Sequence, residues 1–145
     1  MTRPRYESDK DRKSESEVAA YLKRAMNLDC VKMPLSYRVD FIVYRLGKLF
    51  GFIELKTRSV NRQRYKTAII SLSKWHYGCR LSECLDVPFW IAFRWSNDLG
   101  FYKATCLAMN ITVQQGGRTD RGDKDDIEPL VHIPVEDFSA DPVMD

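Results

Sequence analysis

The chain lacks any apolar run long enough to cross a bilayer, and its first seventeen residues are charged and hydroxylic, without the apolar stretch of a secretory signal. These absences point to a cytosolic protein with no membrane partner. Glycine and proline are scarce, at 7 and 6 of 145 residues, which excludes a collagenous or low-complexity chain, and no internal repeat is visible. Metal-binding side chains of the zinc type are few. The two histidines, His76 and His132, lie in separate segments, and Cys30, Cys79, Cys84 and Cys106 are not paired closely enough for a zinc cluster. In a reducing compartment the cysteines are expected to be free thiols. What is present is 44% apolar and 30% charged residues, the bulk of one globular domain. The expected organisation is a flexible basic arm over 1–13, a single domain over 14–138 and a loose tail over 139–145.

The net charge of +3 conceals an uneven distribution. Residues 1–66 carry 16 Lys and Arg against 8 Asp and Glu, whereas 67–145 carry 7 against 12. One basic face and a polyanionic partner are implied, nucleic acid first among them.

Ser14 and Glu17 have the spacing of a capping box and predict the start of a first helix, with Val18, Tyr21, Leu22, Ala25 and Leu28 on its buried stripe. A short strand is expected near Val31–Pro34. Tyr37–Tyr44 and Leu49–Lys56 are rich in Val, Ile, Phe and Tyr and read as a hairpin turning at Gly47. Facing residues then have numbers summing to about 94, which sets Asp40 opposite Glu54. Ile42, Tyr44, Phe50 and Phe52 share their face, and Val39, Phe41, Val43, Ile53 and Leu55 fill the other. Both faces are apolar, so the pair belongs in the middle of a covered sheet. A second helix is predicted over Thr67–Asp86, its stripe formed by Ile69, Leu72, His76 and Cys79, with close packing or a kink at Gly78. Val87–Trp95 and Gly100–Leu107 form a second hairpin, Gln114–Pro129 a mobile loop and Leu130–Pro134 a last strand.

Asp40, Glu54 and Lys56 interrupt apolar strands on one face. Two carboxyls buried side by side repel each other and need a positive charge. A hard divalent cation supplies it, since Mg²⁺ accepts a couple of carboxylates, a backbone carbonyl such as that of Leu55, and waters. Lys56 returns to the same side two residues after Glu54 and is placed to orient or deprotonate a water. Arg38, opposite Lys56, and the acid-free segment carrying Arg58, Arg62, Arg64 and Lys66 are candidates to hold backbone phosphates.

Asp40, thirteen residues, then Glu54-Leu55-Lys56 on adjoining strands between two helices resembles the PD-(D/E)XK nuclease superfamily over about Glu15–Trp95, although Val39 stands where the motif's name has proline. The resemblance implies an α/β fold with an αβββαβ core, a restriction-endonuclease-like central mixed sheet flanked by helices. It implies that Asp40 and Glu54 hold Mg²⁺ or Mn²⁺ and that Lys56 assists the nucleophile. Glu17 matches an acid that sometimes joins from the first helix, and Lys74 or Gln63 matches a polar side chain offered by the second. The function implied is a metal-dependent DNA endonuclease, structure-selective and similar to Holliday-junction resolvases, in a phage-infected or bacterial cell. By analogy with resolvases it would be a homodimer. Two alternatives remain open: a nucleic-acid-binding module that keeps the nuclease fold without catalysis, and a protein-interaction factor.

Overall fold

The computed structural model describes residues 9–34, 39–108, 110–117 and 127–142. The first helix, α1 (Asp9–Met26), is followed by strands β1 (Asp29–Lys32), β2 (Phe41–Arg45) and β3 (Lys48–Thr57). A 3-10 turn at Arg62–Arg64 leads to β4 (Thr67–Ser71), helix α2 (Leu72–Leu85), β5 (Phe89–Arg94) and β6 (Leu99–Ala104). Strands β7 (Thr112–Gly117) and β8 (Ile127–Pro134) come last, before a 3-10 turn at Val135–Asp137.

Among the described residues helix α1 already runs from Asp9, more than a turn before the capping box, so Ser14 and Glu17 lie inside it and do not cap its start. Asp9 and Asp11 in the first turn and Lys23 and Arg24 in the last suit the helix dipole, and Arg12 pairs with Asp9 one turn away. The helix closes at Asn27, which is left-handed (φ 54°) and donates its N–H to the Lys23 carbonyl at 3.1 Å.

Five strands form a mixed sheet in the order β1-β2-β3-β5-β6, with β3 and β5 parallel and the other pairs antiparallel. The β2–β3 turn is the two residues Leu46 and Gly47, both at positive φ, which is the geometry that matches strand twist in a tight hairpin. The pairs Phe41↔Ile53, Ile42↔Phe52 and Val43↔Gly51 carry the expected register. It then shifts, because Tyr44 faces Leu49 and Phe50 is the extra residue of a bulge. Phe50 thereby turns to the α1 side and stacks on Trp90 at 5.1 Å, leaving the face that alternation assigns it with Phe52. Val39, before the strand proper, packs on the α2 side and not with Phe41.

The sheet separates two cores. Val18, Leu22 and Leu28 cover Phe41, Val43, Ile53, Leu55 and Trp90 on one side. On the other, Trp75 and Cys79 of α2 meet Phe52, Phe89, Ile91 and Phe93, together with Ile70, Val131, Ile133 and Phe138. Close packing at Gly78 is observed, since a Cβ there would lie 2.2 Å from the Phe89 ring. His76 is exposed and does not belong to the buried stripe.

Three segments differ from expectation. Thr67–Ser71 is a strand and not helix: Ala68 and Ile70 are buried in alternation and pair with β8. The helix starts after it, where the Ser71 hydroxyl accepts from the Lys74 N–H. The expected loop over Gln114–Pro129 contributes strand at both ends, because β7 pairs with β8 to complete a second sheet, β4-β8-β7; residues 118–126 lie outside the described residues. The chain after the last strand is held as well. Phe138 is packed edge-on against Phe93 and Trp95, and Ser139 exchanges two 2.8 Å backbone hydrogen bonds with Phe101. No described helix is long and apolar enough to cross a membrane.

Candidate active site

β3 is the central strand, flanked by β2 and β5, so its side chains are covered on both faces. Alternation sends Ile53 and Leu55 to the α1 side and Phe52, Glu54 and Lys56 to the α2 side. Glu54 is 1% exposed. Its Oε2 lies 2.7 Å from Nζ of Lys74, which reaches in from the first turn of α2, and 3.4 Å from Nζ of Lys56. Its Oε1 is buried with no hydrogen-bond partner among the described residues.

Asp40 precedes β2 by one residue. Its backbone N–H donates to the Ile53 carbonyl (3.1 Å) and its own carbonyl accepts from Met33 (2.8 Å), which locks the residue at the edge of the register. The Asp40 Oδ2 accepts a 2.7 Å hydrogen bond from the Leu55 N–H. Burial, and then the charge of Glu54, raise its carboxyl to about 7, although the Leu55 N–H, Lys74 and Lys56 pull the other way. The expected juxtaposition of Asp40 and Glu54 is therefore present.

The two lysines are driven apart. Burial lowers Lys56 to about 8 despite the attraction of Glu54, and the neighbouring charges of Lys74 and Arg58 add to the fall. Lys74 is also penalised by burial, yet the charge of Glu54 and their hydrogen bond outweigh this and raise it. Lys74 thus holds Glu54 as an ammonium, while Lys56 is the amine that gives up its proton nearer neutrality.

The donor set suits a small hard cation. No group of three or more His, Cys, Asp or Glu converges among the described residues, but Mg²⁺ needs only one or two carboxylates and keeps its waters. An orphaned buried oxygen beside a second, half-buried carboxyl is what such an ion would satisfy.

The other predicted residues scatter. Arg58 follows β3 directly, exposed, with its guanidinium over the Phe93 ring at 5.5 Å. Arg64 and Lys66 are exposed, Arg64 above the ring of Tyr65. Arg62 turns inward, donating to Asp98 (2.9 Å) and to the carbonyls of Val135 (2.7 Å) and Phe138 (2.9 Å) over the Trp95 ring, so it clamps the fold instead of facing a ligand. Gln63 accepts from Asn97 and is not brought to the carboxylates. Glu17 is paired with Arg94 at 3.4 Å and is not grouped with Asp40 and Glu54. Arg38 lies outside the described residues. Arg94 escaped the sequence reading; its only signal is a charge closing an otherwise apolar strand.

Comparison with known proteins decides the family. A family profile described as "Phage putative PDDEXK endonuclease" matches residues 1–140. The chain belongs to this family. Among solved structures, Hjc of Archaeoglobus fulgidus, a Holliday junction resolvase from an archaeal hyperthermophile, is similar with a TM-score of 0.50 and 11% sequence identity. The likeness covers 64% of this chain and 76% of that one, and it shows a shared fold. No curated protein matches. The αβββαβ order is present as α1-β1-β2-β3-α2-β5, with β4 inserted before α2.

Proposed function

We propose that the chain is a divalent-metal-dependent DNA endonuclease of the structure-selective, resolvase-like kind. The observation that carries this reading is Glu54: a fully buried carboxylate with one oxygen unpartnered, beside a second carboxyl that burial has already pushed to about 7. Such an arrangement costs stability and is kept where a cation is to be received. Asp40, Glu54 and the Leu55 carbonyl would hold Mg²⁺ or Mn²⁺. When bound, the ion supplies positive charge against a phosphate oxygen and acidifies water in the site.

The protein's own groups do the rest. Lys74 fixes Oε2 of Glu54 and so aims Oε1; the Leu55 N–H fixes Oδ2 of Asp40. Lys56, lowered to about 8, is able to accept the proton of an attacking water and then, as an ammonium, to stabilise the charge that grows on the phosphorus oxygens. Arg58, Arg64 and Lys66 lie beyond the end of β3 and would contact flanking phosphates. The test is cleavage of duplex, single-stranded and branched DNA with Mg²⁺ by Asp40→Ala, Glu54→Ala and Lys56→Ala. Each should lose cleavage by ~100-fold or more; wild-type rates in all three would refute the mechanism. Cutting of branched DNA no faster than of duplex would remove the resolvase-like part alone.

A further inference from the structure

Beyond the carboxylates, a cleft of about 320 Å³ opens where the parallel strands β3 and β5 end, between their last residues and the first turns of α1. In open α/β sheets the carboxyl ends of parallel strands are where ligands are received. The cleft is lined by Lys13, Arg58 and Arg94 and by the hydroxyl residues Ser14 and Ser59, with Glu17 as its one acid. Asp11 adds a second negative charge near Arg58. Thr57, the residue after Lys56, also lines the cleft; alternation turns it to the α1 side, so the cleft lies at the strand ends across the sheet from the side chains of Glu54 and Lys56.

The Arg94–Glu17 pair is the informative contact. The two groups are 3.4 Å apart with side chains 39% and 44% exposed. An exposed pair of this length is weak and exchanges readily for a better anion. Glu17 projects into a ring of cations and hydroxyls, where a phosphate would accept from several donors at once.

We infer that this cleft is a phosphate subsite for one backbone phosphate of a nucleic-acid strand, with Arg94 and Lys13 as its anchors and Glu17 as a placeholder anion that the phosphate displaces. The ligand class rests on the nuclease reading above. The role given to Glu17 is the reverse of a metal ligand's. Removing its charge strengthens binding of the strand and leaves Mn²⁺ affinity unchanged, whereas loss of a metal ligand would weaken Mn²⁺ binding.

The experiment is equilibrium binding by the full chain in EDTA, read as anisotropy of a labelled DNA duplex across a salt series, for wild type, Arg94→Ala, Lys13→Ala and Glu17→Gln. Lys13 is exposed on α1, so its variant reports even if Arg94→Ala perturbs the strand end. Arg94→Ala and Lys13→Ala should each weaken binding by ~3–10-fold and flatten the plot of log affinity against log salt by about one phosphate, while Glu17→Gln tightens binding ~2–5-fold. Unchanged affinity and slope in both cation variants, or weaker binding by Glu17→Gln, would overturn the inference. A 5′-mononucleotide bound through Arg94 by a protein that binds no duplex would overturn the strand as the source of the phosphate. Cleavage by wild type and by Glu54→Gln is measured alongside: no metal-dependent cutting by the wild type defeats the nuclease reading, and an undiminished rate in the variant defeats the Glu54 site, while the Arg94 and Glu17 results still decide the subsite.

Discussion

Replacing Asp40 by Asn should make the metal-free protein more stable at pH 8 and no more stable at pH 4. Burial and Glu54 raise the Asp40 carboxyl from an ordinary 3.8 to about 7. The folded state therefore holds a proton that the unfolded state has released between these values. Stability is full below about pH 4, falls as the pH rises toward 7 and is level above, because the unfolded chain binds fewer protons throughout that window. A gap of about three units corresponds to ~4 kcal/mol. Asp40 is only partly shielded from water, and an amide accepts the Leu55 N–H less strongly than a carboxylate, so ~2–3 kcal/mol is the expected gain at pH 8. For a chain of this size that is a rise of ~4–10 °C in Tm. The assay is thermal unfolding of wild type and Asp40→Asn by circular dichroism in EDTA from pH 4 to 8.5. Adding Mn²⁺ at ~100 times its Kd should then stabilise the wild type by ~2.7 kcal/mol and leave the variant unmoved. A variant less stable than wild type at pH 8, or a difference independent of pH, would refute the claim that a carboxyl charge is buried at this place.

Other perturbations test the frame around the site. Gly78→Ala removes an unfavourable glycine from α2, worth ~1 kcal/mol, but drives a methyl into the Phe89 ring, so a net loss of ~1–3 kcal/mol is expected in urea unfolding; a higher midpoint would contradict the packing. Arg62→Lys should lower stability by ~2 kcal/mol, because an ammonium cannot serve Asp98, Val135 and Phe138 while stacking on Trp95; unchanged stability with weakened DNA binding would return Arg62 to the nucleic-acid surface. Leu46→Asn should raise Tm by ~2–4 °C, since Leu46 is 80% exposed at φ 51° and asparagine tolerates that conformation better; a lower Tm would mean that the leucine makes contacts of its own.

The hairpin and its acid pair could be read from the chain because their determinants are local. Two β-rich runs flank Gly47, strict alternation ties Asp40 to Glu54, and charges inside an apolar run are conspicuous. The features that escaped depend on distant partners. Ala68, Ile69, Ile70 and Leu72 satisfy helical and strand periods alike, and only β8, about sixty residues on, makes Thr67–Ser71 a strand. Phe50 obeys alternation until Trp90 offers a ring to stack on. Arg62 resembles its loop neighbours Arg64 and Lys66, yet its partners lie 36, 73 and 76 residues away. From sequence Glu17 fits a helix cap better than a metal ligand; a helix that already runs from Asp9 and the proximity of Arg94 leave it in neither position.

The most direct measurement is anomalous scattering from a crystal of this protein soaked in Mn²⁺. One peak is expected within coordination distance of an Asp40 oxygen and of Oε1 of Glu54, absent from crystals of Glu54→Gln. A protein that cuts DNA with Mn²⁺ while its crystals show manganese elsewhere, or nowhere, would contradict it.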